Sequence, residues 1–188
     1  LRTQAPAAPQ VQRIVHGTTV VTNMLLERRG ARVALCATQG ATDLLVLRRQ
    51  ERASLYDLSV HHPAPLVDAA QVVAVHERLV PGGVERTLSA GDAAQVAEQV
   101  AALAPDIVAI SLLHAYADAT HEMRLADAIA ARLPGIEIVC SSQVLPEIRE
   151  YERTATTVLS ASVMPLVSGY LDRLEAAKPP GSRLHLFH

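Results

Sequence analysis

The stretch Asp106-Ile107-Val108-Ala109-Ile110-Ser111-Leu112-Leu113 is apolar at nearly every position. A strand with one wet face alternates apolar and polar residues, whereas a near-continuous apolar run belongs to a strand covered on both faces, as in a parallel sheet. The residues that follow fit that reading. Thr120 to Leu133 places Met123, Ala126, Ile129 and Ala130 on one helical face, and Ile136 to Cys140 is strand-like again. Strand, helix and strand make a βαβ unit, whose right-handed crossover sets the two strands parallel. Upstream, Ser89 with Asp92 three residues on is a capping-box variant before a helix over Ala93 to Leu103, which Pro105 ends. Residues 89–141 therefore predict a helix-flanked piece of parallel sheet, and the fold class is α/β.

Working outward toward the amino terminus, Val72 to Val80 and Val84 to Leu88 are β-like runs joined by Pro81-Gly82-Gly83, a hairpin signal. Residues 53–68 carry Ser54, Asp57, His61, His62, Pro63 and Pro65 and read as a long surface loop. Arg32 to Thr38 reads as a strand. Before it, Arg13 to Thr18 is β-compatible and Thr22 caps a helix through Glu27, with Arg28 and Arg29 in its last turn and Gly30 as its stop. The Ala- and Pro-rich residues 1–10 read as a tether or a cut end, and one α/β domain is expected over 11–178. Toward the carboxyl terminus, Leu159, Val163, Val167, Leu171 and Leu174 predict a helix over about 154–176, with a kink or break at Pro165. Residues 179–188 read as the start of a further strand, Arg183 to Phe187.

Composition bounds the function. With 49% hydrophobic and 19% charged residues, the 188-residue chain is too apolar to be chiefly disordered and long enough for one real core. Seventeen basic and 19 acidic residues, scattered to a net charge of −2, give no footprint for a phosphate backbone, so no nucleic-acid partner is expected. No apolar run approaches the roughly 20 residues of a bilayer span, so no membrane association is expected. Cys36 and Cys140 lie in apolar runs without metal-ligand spacing, and no basic-then-apolar leader opens the sequence, which reads as buried thiols in a reducing cytoplasm.

Three places could carry chemistry. His16-Gly17-Thr18-Thr19 lies where a strand meets a helix, so its N–H groups and hydroxyls either contact an anion or simply cap the turn. His114 stands at the carboxyl end of the first parallel strand, where α/β sheets hold ligands, and His121 follows seven residues later. A metal pair would need a third ligand that the spacing does not supply, so no metal is assigned and a hydrogen-bonded histidine is expected. Pro146 to Thr157 packs three carboxylates, two guanidiniums and three threonine hydroxyls into a dozen positions. In a helix, Glu147 would share a face with Tyr151 and Arg149 with Arg153, forming either a clamp for a carboxylate or phosphate or a solvated ion-paired face. His61, His62, His76, His185 and His188 show no partner pattern and read as surface residues.

Four stretches carry a family resemblance: residues 16–31 (His16-Gly17-Thr18-Thr19 through Gly30-Ala31), Leu55-Tyr56-Asp57-Leu58, Leu112-Leu113-His114-Ala115-Tyr116 with His121-Glu122, and Val144 through Thr154 continuing to Tyr170-Leu171-Asp172-Arg173-Leu174. Together they resemble the amino-terminal region of the hydantoinase A and 5-oxoprolinase family, which also includes subunits of acetone and acetophenone carboxylases. The resemblance implies a ribonuclease-H-like fold of the actin, sugar kinase and heat-shock ATPase type, a mixed sheet with flanking helices, incomplete in this chain. It implies ATP-dependent attack on a cyclic amide or ketone, with ATP phosphorylating the carbonyl or enolate oxygen and Mg²⁺ required, the substrate's charge being neutralised by positioned groups. By resemblance, His16, Thr18, Thr19, Asn23, His114, Glu147, Arg149, Glu150 and Arg153 lie near the cleft. The implied partners are the small-molecule substrate, the remainder of the protein and a hydantoinase B-type subunit.

The family's opening phosphate hairpin of the type Asp-x-Gly-Gly-Thr-x-Thr-Asp does not occur before Val11, and its Asn-Gly-Gly element does not follow Phe187. The chain is therefore expected to be a fragment that alone neither hydrolyses ATP nor opens a ring, nor holds ATP tightly. Gly40-Ala41-Thr42-Asp43 replaces the family's Gly-Phe-Arg-Asp, Ser160-Ala161-Ser162-Val163 replaces Asn-Ala-Tyr-Val, and Gln143 replaces a glutamate. These changes argue against transferring any one relative's substrate. A second reading is a non-catalytic binding or assembly module of the same fold.

Overall fold

The structure, a computed structural model, describes residues 11–187. The expected tether at residues 1–10 and His188 lie outside the described residues. In chain order the elements are β1 (Arg13–Gly17), α1 (Val20–Glu27), β2 (Val33–Thr38), α2 (Leu44–Leu47), a 3₁₀ turn (Ala69–Gln71), β3 (Val72–Val75), β4 (Arg78–Val80), β5 (Gly83–Arg86), α3 (Ala90–Leu103), β6 (Ile107–Ser111), α4 (Thr120–Arg132), β7 (Glu137–Cys140), α5 (Ser141–Val144), α6 (Glu150–Ala177) and β8 (Arg183–Phe187). Where one domain over 11–178 was expected, the contacts cluster into two compact units, Gly30–Pro165 and residues 11–29 with 166–187.

The larger unit is built on a wholly parallel sheet of order β3-β2-β6-β7. The expected βαβ unit is β6, α4 and β7, with Ile107 opposite Glu137 and Ile110 opposite Cys140. Side chains alternate across the pleat. Ala34, Cys36, Val108, Ile110 and Cys140 face a core completed by Val96 and Val100 of α3 and Leu125 and Ile129 of α4. Val33, Leu35, Ala37, Ile107 and Ala109 face the opposite core with Val67 and with Val158 and Ala161 of α6. Covered on both faces, β2 and β6 are buried at every position, which is why they read as unbroken apolar runs. Cys36 sits so deep that burial, reinforced by Cys140, pushes its thiol up to about 12.

Local signals hold where they are chemically specific. The Ser89 hydroxyl caps α3 by accepting from the Asp92 N–H at 3.0 Å. Several expectations need correction. Val72 to Val80 is two strands: β3 joins the parallel sheet and β4 pairs antiparallel with β5, because the chain turns inward at Glu77, which is 3% exposed. That hairpin forms its own ladder, so the four-stranded sheet is parallel where a mixed sheet was expected. The short helices α2 and α5 were not anticipated. The last helix begins at Glu150 and continues through Pro165 without the expected break. Proline removes one intrahelical N–H, and the turns on either side carry the helix on. Among the described residues α6 is the one helix long and apolar enough to cross a membrane by length and composition, with a mean hydropathy of 1.2 in its best window. Its first half is committed to the core through Val158 and Ala161.

Gly30 is required for a different reason from the expected helix stop. A Cβ there would lie 3.1 Å from Ser162 Cβ and 3.2 Å from the Ser162 carbonyl oxygen, so it permits close approach to α6, sealed by the Ala31 N–H donating to that oxygen at 2.8 Å.

In the smaller unit, β1 and β8 form a parallel pair from Arg13 opposite Arg183 to Gly17 opposite Phe187. The sequence-predicted strand at Arg183–Phe187 is thus present and paired. Helix α1 starts at Val20, two residues before the expected Thr22 cap. It ends on Arg28, whose left-handed φ of 52° lets the Arg29 N–H reach back to the Met24 carbonyl at 3.0 Å.

Candidate functional site

The carboxyl edge of the parallel sheet holds the candidate site. The chain leaves β2 for β3 on one side, while β6 and then β7 lie on the other, so β2 and β6 flank the switch point where open α/β sheets place ligands. Every strand end there is tied by buried polar groups.

Thr38 ends β2, and its hydroxyl accepts the Leu113 N–H at 3.0 Å while donating to Oε1 of Glu77. Oε2 of Glu77 lies 2.7 Å from His121 Nδ1, and the Leu88 N–H donates to His121 Nε2 at 3.3 Å. With Nε2 accepting, the ring proton belongs on Nδ1, which donates to the carboxylate. His121 is therefore a hydrogen-bonded histidine, as expected, and it pins both roots of the β4–β5 hairpin, Glu77 before it and Leu88 after it.

A second buried carboxylate, Glu122, ties β6 to β7. It accepts from the Leu112 N–H (3.0 Å), the Ser141 hydroxyl (2.6 Å) and the Ser142 N–H (2.9 Å), and it is fully buried. Three donors converging on one buried carboxyl group offset the cost of burying it. Just before the helix that carries it, Asp118 accepts the Thr120 N–H at 2.9 Å, and Thr120's hydrogen bonds hold that carboxyl below the usual aspartate range.

The third group is Arg153, 1% exposed in the first turn of α6. Its Nη2 donates to the Leu112 carbonyl at 2.7 Å and to the Glu150 carboxylate, and its guanidinium lies 5.6 Å from the centre of the Tyr116 ring. One residue on, Thr154 pairs with Ser111 at 2.8 Å, hydroxyl to hydroxyl. His114, at a left-handed φ of 58°, turns the loop after β6 and brings its Nδ1 to 3.3 Å from the Tyr116 hydroxyl. That backbone region is unusual for a non-glycine residue and clusters at functional turns.

The predicted site residues divide accordingly. His114, Glu150 and Arg153 are gathered at this edge. Glu147 and Arg149 are exposed and precede the helix, with the Arg149 carbonyl accepting the Arg153 N–H at 2.9 Å, so of the two readings of this segment, a clamp or a solvated ion-paired face, the side chains of Arg149 and Arg153 do not pair as a clamp. The helix begins after Arg149, so only Arg153 turns inward. In the smaller unit, His16 Nε2 bonds the Tyr170 hydroxyl, Thr18 accepts the Val20 N–H at 3.2 Å, and Thr19 and Asn23 are exposed. The turn at 16–19 is thus capped by its own residues. Sequence reasoning missed Thr38, Glu77 and the weight of Glu122. The available signal was an acid inside a run that otherwise reads as core, Glu77 between Val75 and Leu79.

A parallel-sheet α/β unit with buried polar groups along its carboxyl edge has the architecture in which open α/β sheets place ligands. Residues 1–133 match the hydantoinase/oxoprolinase N-terminal region, and the chain belongs to that family. It is 32% identical over 186 residues to the caprolactamase subunit alpha of Pseudomonas jessenii, covering 93% of this chain and 26% of that protein. It is 30% identical to 5-oxoprolinase 1 of Arabidopsis thaliana, covering 90% of this chain and 15% of that protein. The solved structure of the ATP-dependent caprolactamase from Pseudomonas jessenii superposes with a TM-score of 0.82 at 27% identity, over 92% of this chain and 26% of that one. The chain thus spans about a quarter or less of the length of these relatives.

Proposed function

We propose that this chain is part of the ATP-dependent subunit of a hydrolase that opens cyclic amides, or of a related carboxylase acting on ketones. The observation that carries the reading is the likeness to the ATP-dependent caprolactamase over nearly the whole chain. In this reading ATP phosphorylates the substrate's carbonyl or enolate oxygen, which turns a poor leaving group into a good one, with Mg²⁺ neutralising phosphate charge. Among the described residues no three His, Cys, Asp or Glu side chains converge. The contribution of the larger unit is a rigid edge: Glu122 and Glu77 fix the strand ends, and Arg153 supplies a buried positive charge where the sheet meets its ligand. The ribonuclease-H-like type, a cytoplasmic setting, the remainder of the protein and a hydantoinase B-type subunit as partners belong to the same proposal.

A second reading, an assembly module, is favoured by the loop at Leu55, Tyr56 and Leu58, which are 75%, 97% and 75% exposed. Calorimetric titration with Mg²⁺ and ATP, of this chain and of a form extended in both directions, separates the two. Binding by the extended form alone is the expected result. Binding by neither would favour assembly over catalysis.

A further inference from the structure

Arg153 carries more donors than the protein satisfies. Its Nη2 serves both the Leu112 carbonyl and Glu150, while Nε and Nη1 are buried without a hydrogen-bond partner. A buried N–H left unpaired is costly, and two on one cation that is 1% exposed call for an acceptor. A second orphan lies on the same hydrogen-bonded chain. The Ser142 hydroxyl is buried and unpaired, and Ser142 is held through its N–H by Glu122, which also holds Leu112, whose carbonyl holds Arg153.

We propose that the carboxyl edge of the sheet binds an oxyanion, a carboxylate or a phosphate group of a small ligand, on Arg153 Nε and Nη1. Both unpaired atoms of the guanidinium are N–H donors, so the complement is an acceptor carrying negative charge. The guanidinium is planar and permanently charged, and it suits trigonal and tetrahedral oxyanions. The loop over the group is the one that turns at His114 and lays Tyr116 against Arg153, so both half-buried rings report occupancy. This assignment rests on Arg153 and does not depend on which reaction the longer protein runs.

The test is nuclear magnetic resonance of the ¹⁵N-labelled chain, following the Arg153 Nε–H and the amides of His114 and Tyr116. Inorganic phosphate, acetate and chloride are titrated at matched ionic strength. A saturable shift with phosphate or with acetate, and none with chloride, is the expected result, and the responding anion says whether the group is phosphoryl or carboxylate. Arg153→Lys keeps the charge but removes the unpaired donors, and it should weaken the anion's effect on the His114 and Tyr116 amides at least about tenfold. If that variant fails to fold, the titration of the unsubstituted chain is read at the Arg153 Nε–H itself, where phosphate or acetate must shift the resonance saturably. No saturable shift in the unsubstituted chain, or an Arg153 Nε–H that contacts only long-lived water, would overturn the proposal.

Discussion

The carboxyl edge of the four-stranded sheet and the β1–β8 ladder are both parallel strand ends followed by polar residues, yet they differ in what burial makes of those residues. At the edge, Thr38, Glu77, His121, Glu122 and Arg153 are all buried, and every one is held by named partners. In the ladder, Val15 and Phe187 are 54% and 60% exposed, and Arg13, Arg183 and His185 face water. The same residue types fix the backbone in one place and cover its surface in the other. Polar density along a sequence therefore measures chemistry poorly, and burial decides which polar groups matter.

That contrast breaks first at Glu122. Glu122→Ala leaves the Leu112 and Ser142 N–H groups and the Ser141 hydroxyl without their acceptor, and should cost about 4 kcal/mol in urea unfolding. A loss below about 1 kcal/mol would mean the edge is not the rigid region described here.

Alkaline titration comes next. Cys36 is raised to about 12 in the folded chain against an ordinary 9.0, so its contribution is intact below pH 9 and is lost as pH rises from 9 toward 12. Over that window the unsubstituted chain should lose stability faster than Cys36→Ala, by about 1.4 kcal/mol per pH unit. Parallel curves would show the thiol to be less enclosed. Smaller again is Ser89→Ala, expected to cost about 1 kcal/mol by freeing the Asp92 N–H at the start of α3. At the bottom of the scale, Glu147→Ala removes an exposed carboxylate and should change the unfolding free energy measured in urea by less than about 0.5 kcal/mol.

The sheet was legible because its signals are local and redundant: continuous apolar runs at 33–38 and 107–111, a 3.6-residue stripe through α4, and the Ser89 cap. The edge was only partly legible. His114 was placed by its position after a strand, and Arg153 by resemblance, but Arg149 and Arg153 looked equivalent until the start of α6 at Glu150 separated them. Glu77 was read through as part of one strand, since nothing local reveals that His121, 44 residues away, is its partner. Gly30 looked like a helix stop because its true constraint, Ser162, is likewise remote in sequence. Contacts of this kind depend on the topology, and a linear pattern does not carry them.

The most direct test compares the two arginines in the longer protein. On the proposed function, ATP turnover coupled to opening of a cyclic amide should fall at least about a hundredfold with Arg153→Lys, which removes the charge-assisted donors proposed to hold the ligand, and stay within about twofold with Arg149→Lys. Equal activity in both variants, or greater loss at Arg149, would contradict the assignment of function to the buried edge.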